Sequence, residues 1–329
     1  MGELTVDAYS SAGMLRVQSA FWEAENVIIF TLTDPSYEAL PPWQPGSHLD
    51  IVLPSGLIRQ YSLCGSPEDR STYKIAVLRE TNSRGGSKEL HETALVGRII
   101  KIRGPRNHFP LVEAQNYLFI AGGIGITPIL PMIHVAEKIG ATWRLVYVGR
   151  SLRTMAFLSE LETYRSDNLA FYPTDTCGRP SLQTELDQLT DPTEIYCCGP
   201  PSMISTISQA CTTVHLQHTL HIEHFGATPD TGSLNTTLLE DDPIEIELRR
   251  SGIRLTVPAC RSVLDVIREK FPEIPFSCEE GYCGTCETTV IDGIPDHRDT
   301  ILSPKEQKQN KSMMICVSRS LSGSLVLDL

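Results

Sequence analysis

The 329-residue chain has no long unbroken apolar run. Its longest apolar stretch, Ala121 to Ile133, is interrupted by Gly and Pro and falls short of a membrane span. The opening MGELTVDAYS has neither a basic region nor an apolar core, so it is not read as a secretion signal. Repeats and low-complexity tracts are absent, which excludes solenoids and tails. Basic patches are absent too. Net charge is −12, divided as −1 over residues 1–112, −7 over 113–240 and −4 over 241–329. That balance argues against a nucleic-acid partner. With 41% hydrophobic and 21% charged residues the chain can bury real cores, and its length suits two or three domains.

What the chain does have is ten cysteines. In a reducing cytoplasm, the compartment expected without an export signal, clustered cysteines read as metal ligands or redox groups rather than disulfides. Three fall in "SCEEGYCGTC" and the fourth follows thirty residues later. The spacing is Cys278-x4-Cys283-x2-Cys286, then Cys316. This is the plant-type [2Fe–2S] pattern, in which two thiolates hold each iron. Gly281, Gly284 and Thr285 are small enough to let backbone N–H groups turn toward the sulfurs. A structural zinc site prefers two C-x2-C pairs, and only one is present. A dithiol at Cys283 and Cys286 would leave Cys278 and Cys316 without a role.

Three textures follow one another along the chain. Residues 1–112 hold short β-like runs ("NVIIFTL", "SHLDIVL", "YKIAVLR", "RIIKIRG") between turns, which predicts an antiparallel barrel. Residues 113–226 alternate strands ("YLFIA", "RLVYVG", "NLAFYP", "EIYCCG", "LHIEHF") with helical stretches at 129–138, 155–164, 181–189 and 202–211. That alternation predicts a doubly wound parallel sheet. Residues 227–242, rich in Gly, Thr, Pro and acids, read as a linker. Residues 243–329 form a small α+β unit, with a hairpin turning at Ser251-Gly252 and an amphipathic helix after Ser262.

A cluster that accepts one electron near about −400 mV needs a donor. "FIAGGIGITPIL" is a strand, a Gly-rich turn and a helix. Gly122, Gly123 and Gly125 permit close backbone approach, and the helix N-terminus suits a pyrophosphate. It is not the Rossmann fingerprint, because Pro128 stands where the third Gly would be. Pyridine nucleotides deliver two electrons at once, so a go-between is required, and a flavin fits. "RQYSLCGSP" and "SRGGSKELH" are the segments of the first domain that could hold one.

These motifs together resemble the ferredoxin–NADP reductase superfamily joined to a plant-type ferredoxin of β-grasp fold. The whole chain resembles the phthalate dioxygenase reductase family, which includes vanillate demethylase reductases. The resemblance implies FMN, NADH and a [2Fe–2S] cluster as cofactors, and a terminal Rieske-type oxygenase as electron acceptor. It implies that Arg59 pairs with the flavin phosphate, aided by Arg84, Gly85, Gly86 and Ser87. Tyr61 then lies against the isoalloxazine, Ser62 near N5, Thr127 approaches the ring and Phe225 covers it. Gly122, Gly123, Gly125 and Pro128 fall on the pyrophosphate and nicotinamide side. Cys198, Gly199, Pro200 and Met203 line the nicotinamide pocket, and Glu223 orients the ring. Arg150 and Ser151 fall at the adenosine ribose, where Arg150 is equally compatible with NADPH. Cys278 and Cys283 would hold one iron, Cys286 and Cys316 the other. His91, His108, His221 and His224 are assigned structural roles. The alternative function is self-sufficient reduction of a small acceptor such as a quinone.

Overall fold

The structure is a computed structural model that describes residues 12–80, 85–189, 192–216, 219–225 and 241–329. It divides into two compact units, one ending at Phe225 and one beginning at Gly226. The expected linker lies almost wholly outside the described residues. Among the described residues no helix is long and apolar enough to cross a membrane.

The first unit opens with β1 (Ala12–Ala24), β2 (Val27–Thr33), β3 (Ser47–Val52), β4 (Ile58–Ser62), β5 (Tyr73–Leu78) and β6 (Ile99–Asn107). They form one antiparallel sheet in the order β4-β3-β6-β1-β2-β5. A bridge between Leu63 and Ile75 joins its two ends and closes the barrel. Alternate residues fill the interior, Leu49 and Ile51 from β3 against Leu15, Val17, Phe30 and Leu32. The long β1 has no clear period-2 signal in the sequence. It carries register shifts at Val17/Ser19 and Trp22/Ala24, and each bulge moves the apolar set to the other face.

The parallel sheet comprises β7 (Asn116–Gly122), β8 (Thr142–Gly149), β9 (Leu169–Pro173), β10 (Glu194–Cys198) and β11 (Leu220–Glu223), ordered β11-β10-β7-β8-β9. Tyr117, Phe119 and Ala121 of β7 face the helix Ile126–Lys138, whereas Leu118 and Ile120 face the helix Pro201–Thr213. Pro128 sits in the first turn of its helix, where the missing N–H costs nothing. The first of these cores also takes in Val27, Ile29, Cys64 and Ala76 from the barrel, so barrel and parallel sheet share buried surface. The strand order reverses between β7 and β10. Ligands of such sheets bind at the carboxyl ends of the strands beside that reversal.

The second unit is a mixed sheet of β12 (Ile244–Leu248), β13 (Ile253–Val257), β14 (Glu287–Asp296), β15 (Ser312–Met314) and β16 (Arg319–Leu327), ordered β13-β12-β16-β14-β15. Only β12 and β16 run parallel. The helix Val263–Arg268 starts in a capping box, with the Asp265 N–H donating to Ser262 Oγ (3.0 Å) and the Ser262 N–H to Asp265 Oδ2 (3.3 Å). Its Val263, Leu264 and Ile267 pack with Ile246, Leu248 and Leu327 of the sheet.

Candidate functional site

A cavity of about 730 Å³ opens at the carboxyl ends of β7, β8 and β10, within the size range of small-molecule sites. Gly122, Gly123, Arg150, Pro200 and Met203 line it from the nucleotide side, and Asn26 and Glu80 from the barrel. The two loops that form its floor touch backbone to backbone. A Cβ on Gly125 would lie 2.2 Å from the carbonyl oxygen of Cys198, so no larger residue fits there. A Cβ on Gly199 would meet Met203 Cε at 2.3 Å. The helices beginning at Ile126 and Pro201 bring their N-terminal amides to this floor, a favourable setting for anionic groups.

Of the pair expected at the adenosine ribose, Arg150 lines the cavity and Ser151 does not. Ser151 caps a short turn, its N–H donating to Thr154 Oγ1 (3.2 Å). Arg179, which no motif marks, joins Arg150 in the lining. Sequence spacing could not find Arg179, because the loop after β9 carries no recognisable pattern.

Ser62, Cys198 and Glu223 are absent from the cavity lining, and Glu223 neighbours each of the other two. Ser62 is buried and its hydroxyl donates to the Glu223 carboxyl, whose Oε2 is buried with no partner. Burial pushes the Glu223 carboxyl up to about 8, against the smaller opposing effect of Ser62, so it is neutral at pH 7. Cys198 lies opposite Glu223 in the β10–β11 register, fully buried, and its thiol is pushed up first by burial and then by that carboxyl. Thr127 is also buried, but its hydroxyl donates to the carbonyl of Ile124 (3.0 Å). Phe225 ends the unit with 37% of its surface exposed.

Arg59 lies against the helix Gly86–Glu92: a Cβ on Gly86 would sit 2.5 Å from Arg59 Cγ. Gly85 caps that helix at φ 96°, a conformation that suits glycine. Ser87 Oγ accepts from the Glu80 N–H (3.3 Å). Tyr61, half-buried against the barrel core, has its phenol pushed up mainly by burial. Arg84 lies outside the described residues. Arg59 and the glycine turn are thus adjacent, as a phosphate cradle requires. Of the histidines, two have evident local partners: His91 Nε2 bonds the Val77 carbonyl (2.9 Å), and His221 Nε2 bonds Glu194 (2.7 Å), whereas His224 Nδ1 is buried with no hydrogen-bond partner among the described residues.

In the second unit Cys278, Cys283, Cys286 and Cys316 are all buried. Cys283 Sγ donates to Thr285 Oγ1 (3.4 Å), and the side chains of Cys283 and Cys316 both lie in hydrogen-bond contact with Cys278, Cys316 also contacting Cys286. Those two neighbours pull Cys278 toward the thiolate. The Glu280 N–H donates to Cys278 Sγ (3.3 Å) and the Cys278 N–H to Cys283 Sγ (3.4 Å). Gly281 takes φ 75°, and a Cβ there would strike Val317 Cγ2 at 2.7 Å. Among the described residues no three His, Cys, Asp or Glu side chains are spaced around a single ion. The thiols instead form a string, Cys283–Cys278–Cys316–Cys286, whose two ends supply two thiolates each. That donor set fits a two-iron cluster.

Residues 246–321 match the family described as 2Fe-2S iron-sulfur cluster binding domain, and residues 119–209 the oxidoreductase NAD-binding domain. The chain is 37% identical over 325 residues to the phthalate dioxygenase reductase of Burkholderia cepacia, across 96% of this chain and 98% of that protein. A solved structure of a phthalate dioxygenase reductase, a modular structure for electron transfer from pyridine nucleotides to [2Fe-2S], superposes with a TM-score of 0.70. The identity is 36%, over 97% of this chain and 98% of that one. An intact type IV self-sufficient cytochrome P450 monooxygenase gives a TM-score of 0.87 at 38% identity. This chain covers only 41% of that longer protein.

Proposed function

This chain belongs to the phthalate dioxygenase reductase family, and from that premise we propose that it is the NADH-dependent reductase component of a two-component Rieske-type oxygenase system. Its cofactors are FMN and a [2Fe–2S] cluster, its donor NADH, and its acceptor the oxygenase protein. When bound, FMN supplies the exchange between hydride and single electrons, and the cluster supplies a one-electron outlet. The observation that carries the reading is the string of four buried thiols on one unit of a chain whose other unit holds a dinucleotide-sized cavity. The cytoplasm is the compartment that suits such thiols.

The domain division that follows is an FMN-binding barrel over 1–112, an NAD(H)-binding domain over 113–226, a linker over 227–242 and a ferredoxin domain over 243–329. Arg59 with Gly85, Gly86 and Ser87 holds the flavin phosphate, and Arg84 belongs to the same segment. The close packing of Arg59 on Gly86 supports this. Tyr61 and Phe225 flank the flavin ring. Gly122, Gly123, Gly125 and Pro128 admit the dinucleotide backbone, and Arg150 meets its adenosine end. Cys198, Gly199, Pro200 and Met203 form the nicotinamide wall. Ser62 and Glu223 sit where the flavin and nicotinamide sides join. There Glu223 keeps its proton at neutral pH and presents a neutral, polar surface to the nicotinamide. Thr127 stiffens the turn beneath. Cys278 with Cys283 and Cys286 with Cys316 supply the two pairs of thiolates, and the adjacency of those pairs in the string supports the assignment. The hydride moves directly from the dinucleotide, so no side chain serves as general base.

The test is anaerobic mixing of the purified, coloured protein with NADH and a purified Rieske-type oxygenase. Reduction of the oxygenase by substoichiometric amounts of this protein is expected. Sustained turnover of a quinone without any partner, together with failure to reduce the oxygenase, would favour the small-acceptor reading instead.

A further inference from the structure

We propose that Glu23, on the barrel strand β1, is a positioning residue for the dinucleotide: its carboxylate holds the loop that walls the nucleotide cavity. The inference rests on the function proposed above.

The loop runs from Arg150 to Phe157, joining β8 to the short helix Leu158–Leu161. Its sequence prefers a helix from Met155 onward. The chain refuses it, because Phe157 adopts φ 63° and ψ 18°, left-handed values that a bulky L-residue rarely takes. Such a conformation persists only where surrounding contacts over-determine it. The contact here comes from 134 positions away: the Phe157 N–H donates to Glu23 Oε1 at 2.8 Å. The ring of Phe157 is buried, so the strained residue cannot simply swing into solvent.

The preceding amide is fixed as well. The Ala156 N–H donates to Tyr147 Oη at 3.0 Å, in a buried setting. Two consecutive amides are therefore held by two side chains, one from the parallel sheet and one from the barrel. Met155 packs into the space above Gly149, where a Cβ would come within 2.2 Å of Met155 Cγ. The consequence reaches the cavity, because Thr154 and Ala156 line it. The end of β1 adds a second tie, the Glu25 N–H donating to the Arg153 carbonyl at 2.8 Å. The ion pair between Arg153 and Glu25 is largely exposed and contributes little beside it.

Glu23 is absent from the cavity lining while Glu25 and Asn26 are present. Glu23 thus acts on the wall and not on the nucleotide. Without its oxygen at the right reach, residues 154–157 relax toward the helix their sequence favours, and the wall moves. A wall that contacts NADH equally before and during hydride transfer affects uniform binding, so KM changes and kcat does not.

Three variants of the holoprotein separate reach from charge: Glu23→Ala, Glu23→Gln and Glu23→Asp. Glutamine keeps an acceptor oxygen at the same length, and aspartate keeps the charge one methylene short. In NADH–cytochrome c reduction, KM for NADH is expected to rise about five- to tenfold in the Ala and Asp variants, the worth of one hydrogen bond. The Gln variant stays within about twofold of wild type, and kcat stays within about twofold throughout. A purely structural role would lower the melting temperature without separating KM from kcat. An unchanged KM in the Ala variant, or an Asp variant like wild type beside a Gln variant like Ala, overturns the proposal. If the Ala variant does not fold, the Asp–Gln pair decides alone. No turnover of NADH by the wild-type protein would overturn the proposed function and this inference with it.

Discussion

The two units carry their chemistry in opposite ways. In the second, three of the four cysteines assigned to the cluster lie within nine positions and one tight loop brings them together. In the first, the residues assigned to flavin and nucleotide are scattered from Arg59 to Phe225, and strand ends from two sheets gather them. A local site is a constraint on one loop, and spacing alone reports it. A site built from topology leaves only short marks at each strand end, each weak when taken singly. Experiments that treat the units separately test whether this contrast is real.

The largest effect is expected from Cys283→Ser. The change removes one thiolate from the string and leaves the first unit untouched. One-electron delivery to cytochrome c should fall by at least about 100-fold, beyond the usual loss on changing a residue that merely supports a metal ligand. Bleaching of the flavin band by NADH should persist within about twofold of its wild-type rate. Stopped-flow absorbance at the flavin and cluster bands reads the two separately. Loss of flavin bleaching would break the contrast, since the local site would then control the dispersed one.

The same contrast explains what was legible in the sequence. The cysteine spacing, the hairpin turn at Ser251-Gly252 and the Ser262 cap are local features, and each appears in the structure where the sequence puts it. β1 was hidden because two bulges break its alternation. The helix expected over 155–164 shrinks to Leu158–Leu161, because a carboxylate from the barrel overrides its local propensity. Ser151 matched the position of a ribose contact yet folds back onto Thr154. Arg179 carried no mark at all and lines the cavity nonetheless. Glu223 was visible as an acid at a strand end, but its protonation follows from burial, which no spacing encodes.

Glu223 gives the second, intermediate effect. Its carboxyl is raised from 4.5 to about 8 in the folded protein. The native state therefore keeps a proton that the unfolded chain releases, and stability falls as pH rises from about 4.5 to about 8. Outside that window the contribution is flat. The full shift corresponds to at most ~5 kcal/mol, and less wherever solvent reaches the carboxyl. Glu223→Gln keeps an acceptor for Ser62 and has no proton to lose. Urea denaturation at pH 5 and pH 8 should show the variant gaining on the wild type at the higher pH. Parallel pH profiles for the two proteins would mean that the carboxyl is solvated, and the dispersed site would lose its buried centre.

The smallest effect is expected from His91→Ala, and it sharpens the contrast by what it leaves alone. His91 sits on the same helix as Gly86 and Ser87, close to the segment assigned to the flavin phosphate. Proximity in sequence would make it a binding residue. Its contacts say otherwise: Nε2 bonds the Val77 carbonyl at 2.9 Å, and the ring meets Trp22 edge-on at 5.5 Å. Burial lowers its basicity, so it is neutral at pH 7 and offers no charge to a phosphate. It braces the helix against β5 and β1. Losing one such hydrogen bond costs about 1 kcal/mol of stability. NADH kcat/KM in cytochrome c reduction should stay within about twofold of wild type, and the released flavin should remain stoichiometric. A collapse of either would show that the helix face bearing His91, rather than the turn at Gly85 and Gly86, carries the flavin. The dispersed site would then need rebuilding around β1 and β5.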